Sequence, residues 1–167
     1  MWVKEIIKKC IYKERYSSET FVDFLRAGGA SIGKNVIILD PRTQVFDYGS
    51  RQLIEIGDNV LFTGHCTVLA HDFSYSVSRN AYGKLPHVKM KTKIGNNVFV
   101  GIHSIILMGA DVGDNVIIGA GSVVHGKLES NSVYAGNPAR KISTLETYTE
   151  KIWKNCSKVQ NCGQTHL

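Results

Sequence analysis

Imidazole is the side chain whose ordinary pKa lets it move protons near neutral pH, and this chain holds His65, His71, His87, His103, His125 and His166. His71 is set apart by its place. It follows Thr67-Val-Leu-Ala, at the point where a regular repeat gives way to an irregular segment, so its ring can project into a cleft and not a core. There it can take the proton of a hydroxyl as that oxygen attacks an electrophile. His65 and His103 fall in turns of the repeat, His87 lies in the irregular segment, and His125 opens a turn after Val124. The serines show no evident Ser-His-carboxylate arrangement, which leaves a nucleophilic serine unsupported. Cys10, Cys66, Cys156 and Cys162 lack Cys-x-x-Cys spacing and indicate neither a zinc knuckle nor a disulfide framework. Cys156, Cys162 and His166 are read as part of a frayed tail and not as metal ligands.

Charge is spread unevenly. The formal net charge is +6, and Arg79, Lys84, Lys89, Lys91 and Lys93 fall in one segment with no acid after Asp72. An anion docked there and a solvated basic loop are both open readings. Nucleic acid is set aside, because the chain has no recognisable nucleic-acid motif and no basic stripe interleaved with aromatics. No stretch approaches the roughly eighteen apolar residues of a membrane-spanning helix. The first ten residues carry Lys4, Glu5, Lys8 and Lys9, so a soluble, cytoplasmic chain without a signal peptide is expected.

The element that must position His71 follows from a repeat. Ile94, Val100, Ile106, Val112, Ile118 and Val124 recur every six residues, and a second column reads Val98, Ser104, Ala110, Val116, Ser122 and Leu128. Gly follows the first column at 95, 101, 113 and 119. Six fits neither a helix period nor simple alternation; it fits a short strand plus a tight turn. The small residue and the next aliphatic lie two apart, so both point inward and the residue between them points out. The pattern also appears at Ile32-Gly33-Lys34-Asn35-Val36 and Ile56-Gly57-Asp58-Asn59-Val60, and it places Cys66 in the core. Val68 and Ile94 are 26 residues apart, not a multiple of six, so an excursion leaves the coil there with the basic cluster.

The ends read as helices. Trp2, Ile6, Ile7 and Ile11 have helical spacing, and Ser18 is expected to cap a second helix through Phe21, Phe24 and Leu25, ending at Gly28-Gly29. Both are expected to plug the open first coil, a packing role preferred over a membrane-surface role for the first. Ser143-x-x-Glu146 reads as a capping box for a last helix. The expected divisions are 1–29, a helical cap; 30–142, the repeat domain with its excursion at 71–93; and 143–167, a helix and tail.

Two stretches carry a resemblance. Ile118-Gly-Ala-Gly-Ser-Val-Val124 through Val133-Tyr-Ala-Gly-Asn-Pro-Ala-Arg140 resembles the end of the hexapeptide-repeat sugar O-acetyltransferases, similar to the galactoside and maltose enzymes and their polysaccharide-modifying relatives. Thr67-Val-Leu-Ala-His71-Asp72, the excursion and Lys93-Ile-Gly-Asn-Asn-Val-Phe99 resemble that family's catalytic histidine, loop and next coil.

The resemblance implies an all-β core, a left-handed parallel β-helix of hexapeptide repeats, with short helices at both ends. It implies acetyl-CoA as donor, a sugar-type acceptor, a homotrimer with sites between subunits, no metal and His71 as general base. It further implies cofactor contacts at Phe99, Gly101, Ile102, Gly119, Ala120, His125, Arg140 and Lys141, with Phe99 walling the thioester end and the last two meeting phosphates. His125 departs from the family's usual Thr-Lys-Asp. Asp47, in Phe46-Asp47-Tyr48-Gly49, matches an acceptor-binding position, and Thr63 is a further polar candidate. Whether Asp72 orients His71 stays open. Three rivals stand beside this reading: an amino-sugar N-acetyltransferase, a non-catalytic trimeric scaffold, and a γ-type carbonic anhydrase. The last is disfavoured because His65 and His71 are six residues apart, one whole face of the coil.

Overall fold

The computed structural model describes residues 2–156; Cys162 and His166 lie outside the described residues. After α1 (Trp2–Tyr12) and α2 (Ser18–Ala27) the chain winds through successive three-strand coils. The first coil is β1 (Ser31–Ile32), β2 (Ile37–Ile38) and β3 (Val45–Phe46), and the second is β4 (Ile54–Ile56), β5 (Val60–Phe62) and β6 (Thr67–Val68). The excursion holds β7 (His71–Asp72), α3 (Tyr75–Tyr82) and β8 (Val88–Lys89), with β7 and β8 paired antiparallel. The third coil is β9 (Thr92–Ile94), β10 (Val98–Val100) and β11 (Ile105–Ile106), and the fourth is β12 (Asp111–Val112), β13 (Val116–Ile118) and β14 (Val123–Val124). A last part-coil gives β15 (Lys127–Leu128) and β16 (Ser132–Ala135), before β17 (Arg140–Thr144) and α4 (Leu145–Cys156).

Stacking of the coils makes three parallel faces: β1-β4-β9-β12-β15, then β2-β5-β10-β13-β16, then β3-β6-β11-β14. Val98 pairs with Val116, eighteen residues on, so three hexads make one turn of the coil. The expected inward columns are the core: Val100, Ile106, Ile118 and Val124 are wholly buried, as are Cys66, Ser104 and Ser122 between them. Outward columns differ by face. Glu55, Lys93, Asp111 and Lys127 alternate in sign up the first face, whereas the second shows Ile37, Leu61, Phe99 and Ile117 in register.

The corner between the first two faces explains the Ile-Gly-x-Asn signature. Asn35, Asn59, Asn97, Asn115 and Asn131 all take positive φ there, a conformation Asn tolerates. Their amides stack, with Asn97 donating to Asn115 at 2.7 Å and Asn115 to Asn131 at 2.9 Å. The glycine two residues earlier allows the coils to close up: a Cβ on Gly57 would stand 2.8 Å from the Gly95 carbonyl.

The ends of the coil are covered, with corrections to the sequence reading. Ser17, not Ser18, caps α2: its hydroxyl accepts from Thr20 N while Thr20 Oγ1 accepts from Ser17 N. Ser18 Oγ instead accepts from Ile38 N at 2.9 Å, tying the helix to β2. Phe21, Val22 and Leu25 plug the first coil, Phe21 standing edge-on to Phe46 at 5.7 Å. The first helix does not share this role, since Ile6, Ile7 and Ile11 remain 43%, 51% and 65% exposed. At the far end β17 returns antiparallel along β16 and covers the open edge. Because Ser143 pairs with Val133 inside that strand, the cap of α4 falls one residue later, on Thr144, whose hydroxyl accepts from Thr147 N at 3.1 Å.

Candidate active site

The register of the first two coils builds the site. Phe46 pairs with Val68, so Asp47 lies under the turn that leads to His71, and Asp47 N donates to Val68 O at 2.9 Å. The Asp47 side chain is fully buried. Its Oδ2 accepts from Ala70 N at 3.0 Å and meets His71 Nδ1, while Oδ1 accepts from Gly49 N at 3.1 Å. An ionised carboxylate only accepts, so Nδ1 carries the proton and Nε2, on the far edge of the ring, is left as an acceptor. That is the tautomer a general base needs.

Both Asp47 oxygens are engaged within the chain and its side chain is sealed from solvent, so the position expected at the acceptor lies against the histidine ring. Asp72 is not the orienting group: it accepts from Ser74 N at 2.7 Å and Ser74 Oγ at 2.8 Å, bonds that hold its carboxyl below the usual carboxylate range. Phe73, a residue the sequence did not flag, stands edge-on to the His71 ring at 4.7 Å. Lys89 is the cross-strand partner of His71, which brings one charge of the basic cluster beside it. Lys91 is paired with Glu55 at 2.5 Å, and Lys93 lies between Glu55 and Asp111 on the first face.

His71 opens on a cavity of about 280 Å³, lined also by Leu69, Asp72, Leu107, Met108 and His125. His125 thus joins His71 on the edge between the third and first faces, from a coil two turns on. Leu107 and Met108 gave no sequence signal beyond their place in a turn.

The other expected contacts stand elsewhere on the chain. Phe99 is 37% exposed on the second face, in a shallow groove with Leu61, Ile117 and Leu145. Ile102, Gly119 and Ala120 lie on the edge between the second and third faces, with Ile102 43% exposed. Gly101 on that edge is buried, and a Cβ there would stand 2.5 Å from Ala120 N, so the stacking of the coils already requires its smallness. Arg140 and Lys141 are exposed but sit in β17 and not in a loop. Lys141 is paired with Glu129 at 2.8 Å, which raises its own pKa and lowers that of the carboxyl. Thr63 Oγ1 donates to Val100 O at 2.8 Å within the coil. His65 and His103 stack on each other at 4.6 Å, one coil apart.

The repeat and the coil are shared with known proteins. The pattern of the bacterial transferase hexapeptide family (six repeats) matches residues 91–126. The chain is 39% identical to protein CapG of Staphylococcus aureus over 134 residues, 80% of this chain and 76% of that protein. The solved maltose O-acetyltransferase of Clostridium difficile 630 is 31% identical, with a TM-score of 0.53 over 75% of each chain. A galactoside acetyltransferase solved in complex with coenzyme A is 26% identical, with a TM-score of 0.58 over 88% of this chain and 83% of that one. With repeat, coil and relatives in agreement, the chain belongs to the hexapeptide-repeat family of acetyltransferases.

Proposed function

We propose that this acetyltransferase moves the acetyl group of acetyl-CoA to a hydroxyl of a sugar or polysaccharide precursor by direct attack, with His71 as general base. The observation that carries the reading is the buried Asp47 carboxylate against Nδ1 of a partly exposed His71, beside a cavity. The acceptor hydroxyl gives its proton to Nε2 as its oxygen bonds to the acetyl carbonyl carbon. Backbone amides stabilise the oxyanion. The intermediate then expels the coenzyme A thiolate, which takes the proton back from the imidazolium, leaving an ester and a free thiol. Asp47 stabilises the imidazolium during that interval.

Coenzyme A is assigned to a groove between two subunits of a homotrimer, wound left-handed as the family implies. Supporting this, His71 lies on one edge of the coil while Ile102, Gly119 and Ala120 lie on another, so one chain does not bring them together. A neighbour offering its second edge to the His71 edge completes the site, with Phe99 along the wall. The apolar outward column of the second face, against the alternating charges of the first, supports burial of that face between copies. Arg140 and Lys141 are assigned to the phosphates, Lys141 exchanging Glu129 for them. His125, sharing the cavity of His71, is assigned to the acyl end. The sugar acceptor is supported by the names of the maltose and galactoside relatives, and use of acetyl-CoA supports a cytoplasmic location.

The test is thiol release from acetyl-CoA over a panel of hexoses, amino sugars and nucleotide sugars, with the product's new bond read by NMR. An ester on a sugar oxygen is expected. An amide on an amino sugar would replace the O-transfer reading, and absence of both acetyl-CoA binding and turnover would give the scaffold reading the lead.

A further inference from the structure

We infer that α1 is an in-plane anchor that lays its apolar side on a bilayer containing anionic phospholipid. At about 100° per residue, Ile6, Ile7, Cys10 and Ile11 fall on one half of α1, and Lys8, Lys9 and Tyr12 fall on the other. In the fold the polar half is turned toward the body. Lys8 and Tyr12 line a cleft of about 520 Å³ with Ser17, Asp40 and Arg42, and the Arg42 guanidinium stands 5.3 Å from the centre of the Tyr12 ring. The apolar half is turned out, with Ile6, Ile7 and Ile11 at 43%, 51% and 65% exposure and Cys10 exposed. A helix recruited to cap its own coil does the reverse, as α2 does with Phe21, Val22 and Leu25.

Charge selects the occupant. Lys8, Lys9 and Lys13 are exposed and set against Glu14 in residues 8–14, while Arg15 is turned inward onto the Pro41 and Gln44 carbonyls. A helix with its side chains is roughly 10–12 Å across, so Lys8 and Lys9 in α1 stand within about a Debye length of a surface the isoleucines touch. A second copy of α1 would bring like charges together, whereas an anionic leaflet attracts them and accepts the isoleucines among its headgroups. No helix among the described residues is long and apolar enough to cross a membrane, so the contact lies in the plane of the surface.

The test is co-sedimentation of the full chain with vesicles of phosphatidylcholine alone and of phosphatidylcholine mixed with phosphatidylglycerol, alongside sedimentation velocity without lipid. The variants are Ile7→Asp/Ile11→Asp and Lys8→Glu/Lys9→Glu. Wild type is expected to bind the mixed vesicles and not the neutral ones, more weakly as salt rises. Each variant is expected to bind about tenfold less or weaker still, with an unchanged melting temperature. Failure of the wild type to bind mixed vesicles, or equal binding by Ile7→Asp/Ile11→Asp, overturns the inference. A smaller particle for that variant without lipid also overturns it, and assigns the face to a contact between copies.

Discussion

The buried Asp47 carboxylate beneath the partly exposed His71 and the buried Cys66 thiol each make a separate prediction. Asp47→Asn keeps the shape but offers an amide where His71 needs an acceptor, so the imidazole loses its fixed tautomer. Steady-state kinetics should show kcat lower by on the order of a hundredfold, with KM for acetyl-CoA little changed; an unchanged kcat would remove Asp47 from the mechanism. Cys66 gives a check on the core. It is wholly buried, and burial pushes its thiol pKa up, so its stabilising contribution is complete below the ordinary thiol pKa and is lost as pH rises through the folded value. A thiol reagent at mildly alkaline pH should label Cys10 in the native protein and Cys66 only after unfolding. Of these residues the places of Cys66 and His71 were legible in the sequence, the first inside the six-residue pattern and the second where that pattern breaks. The contact of Asp47 with His71 was not. It depends on the pairing of Phe46 with Val68, in a part of the coil where the irregular turns 41–43 and 51–53 break the six-residue count.

At the scale of elements, the coil is held by stacks that repeat at each corner. Asn115 shows this best: it accepts from Asn97, donates to Asn131 and sits at φ 57°. Asn115→Ala removes both bonds and strains the backbone, and urea unfolding should show a loss of about 1–3 kcal/mol; a change under a few tenths would mean that the ladder is incidental. The inward columns were readable because from Ile94 to Leu128 each inward position holds an aliphatic or small side chain. Helix ends were read less well. Ser17 and Ser18 are adjacent hydroxyls, and only the docking of α2 on β2 decides which one caps. In the same way, the amphipathic pattern of α1 fixes which residues share a side but not which side meets the protein.

For the whole molecule, the contrast between a charged first face and an apolar second face predicts assembly. Sedimentation velocity should give a particle of three chains of 18.5 kDa each. Phe99→Asp, which sets a charge in the outward column beside Leu61 and Ile117, should shift it toward single chains and lower activity with it. A fully active monomer would contradict a shared site.

The central claim is that His71 takes the acceptor's proton, and the most direct measurement is kcat/KM of His71→Ala against wild type with the acceptor found active. General-base assistance is worth about 10²–10⁴-fold, so a loss in that range is predicted, with the melting temperature and acetyl-CoA binding retained. Activity within a few-fold of wild type in a folded, acetyl-CoA-binding variant would contradict the account and move the base to another residue.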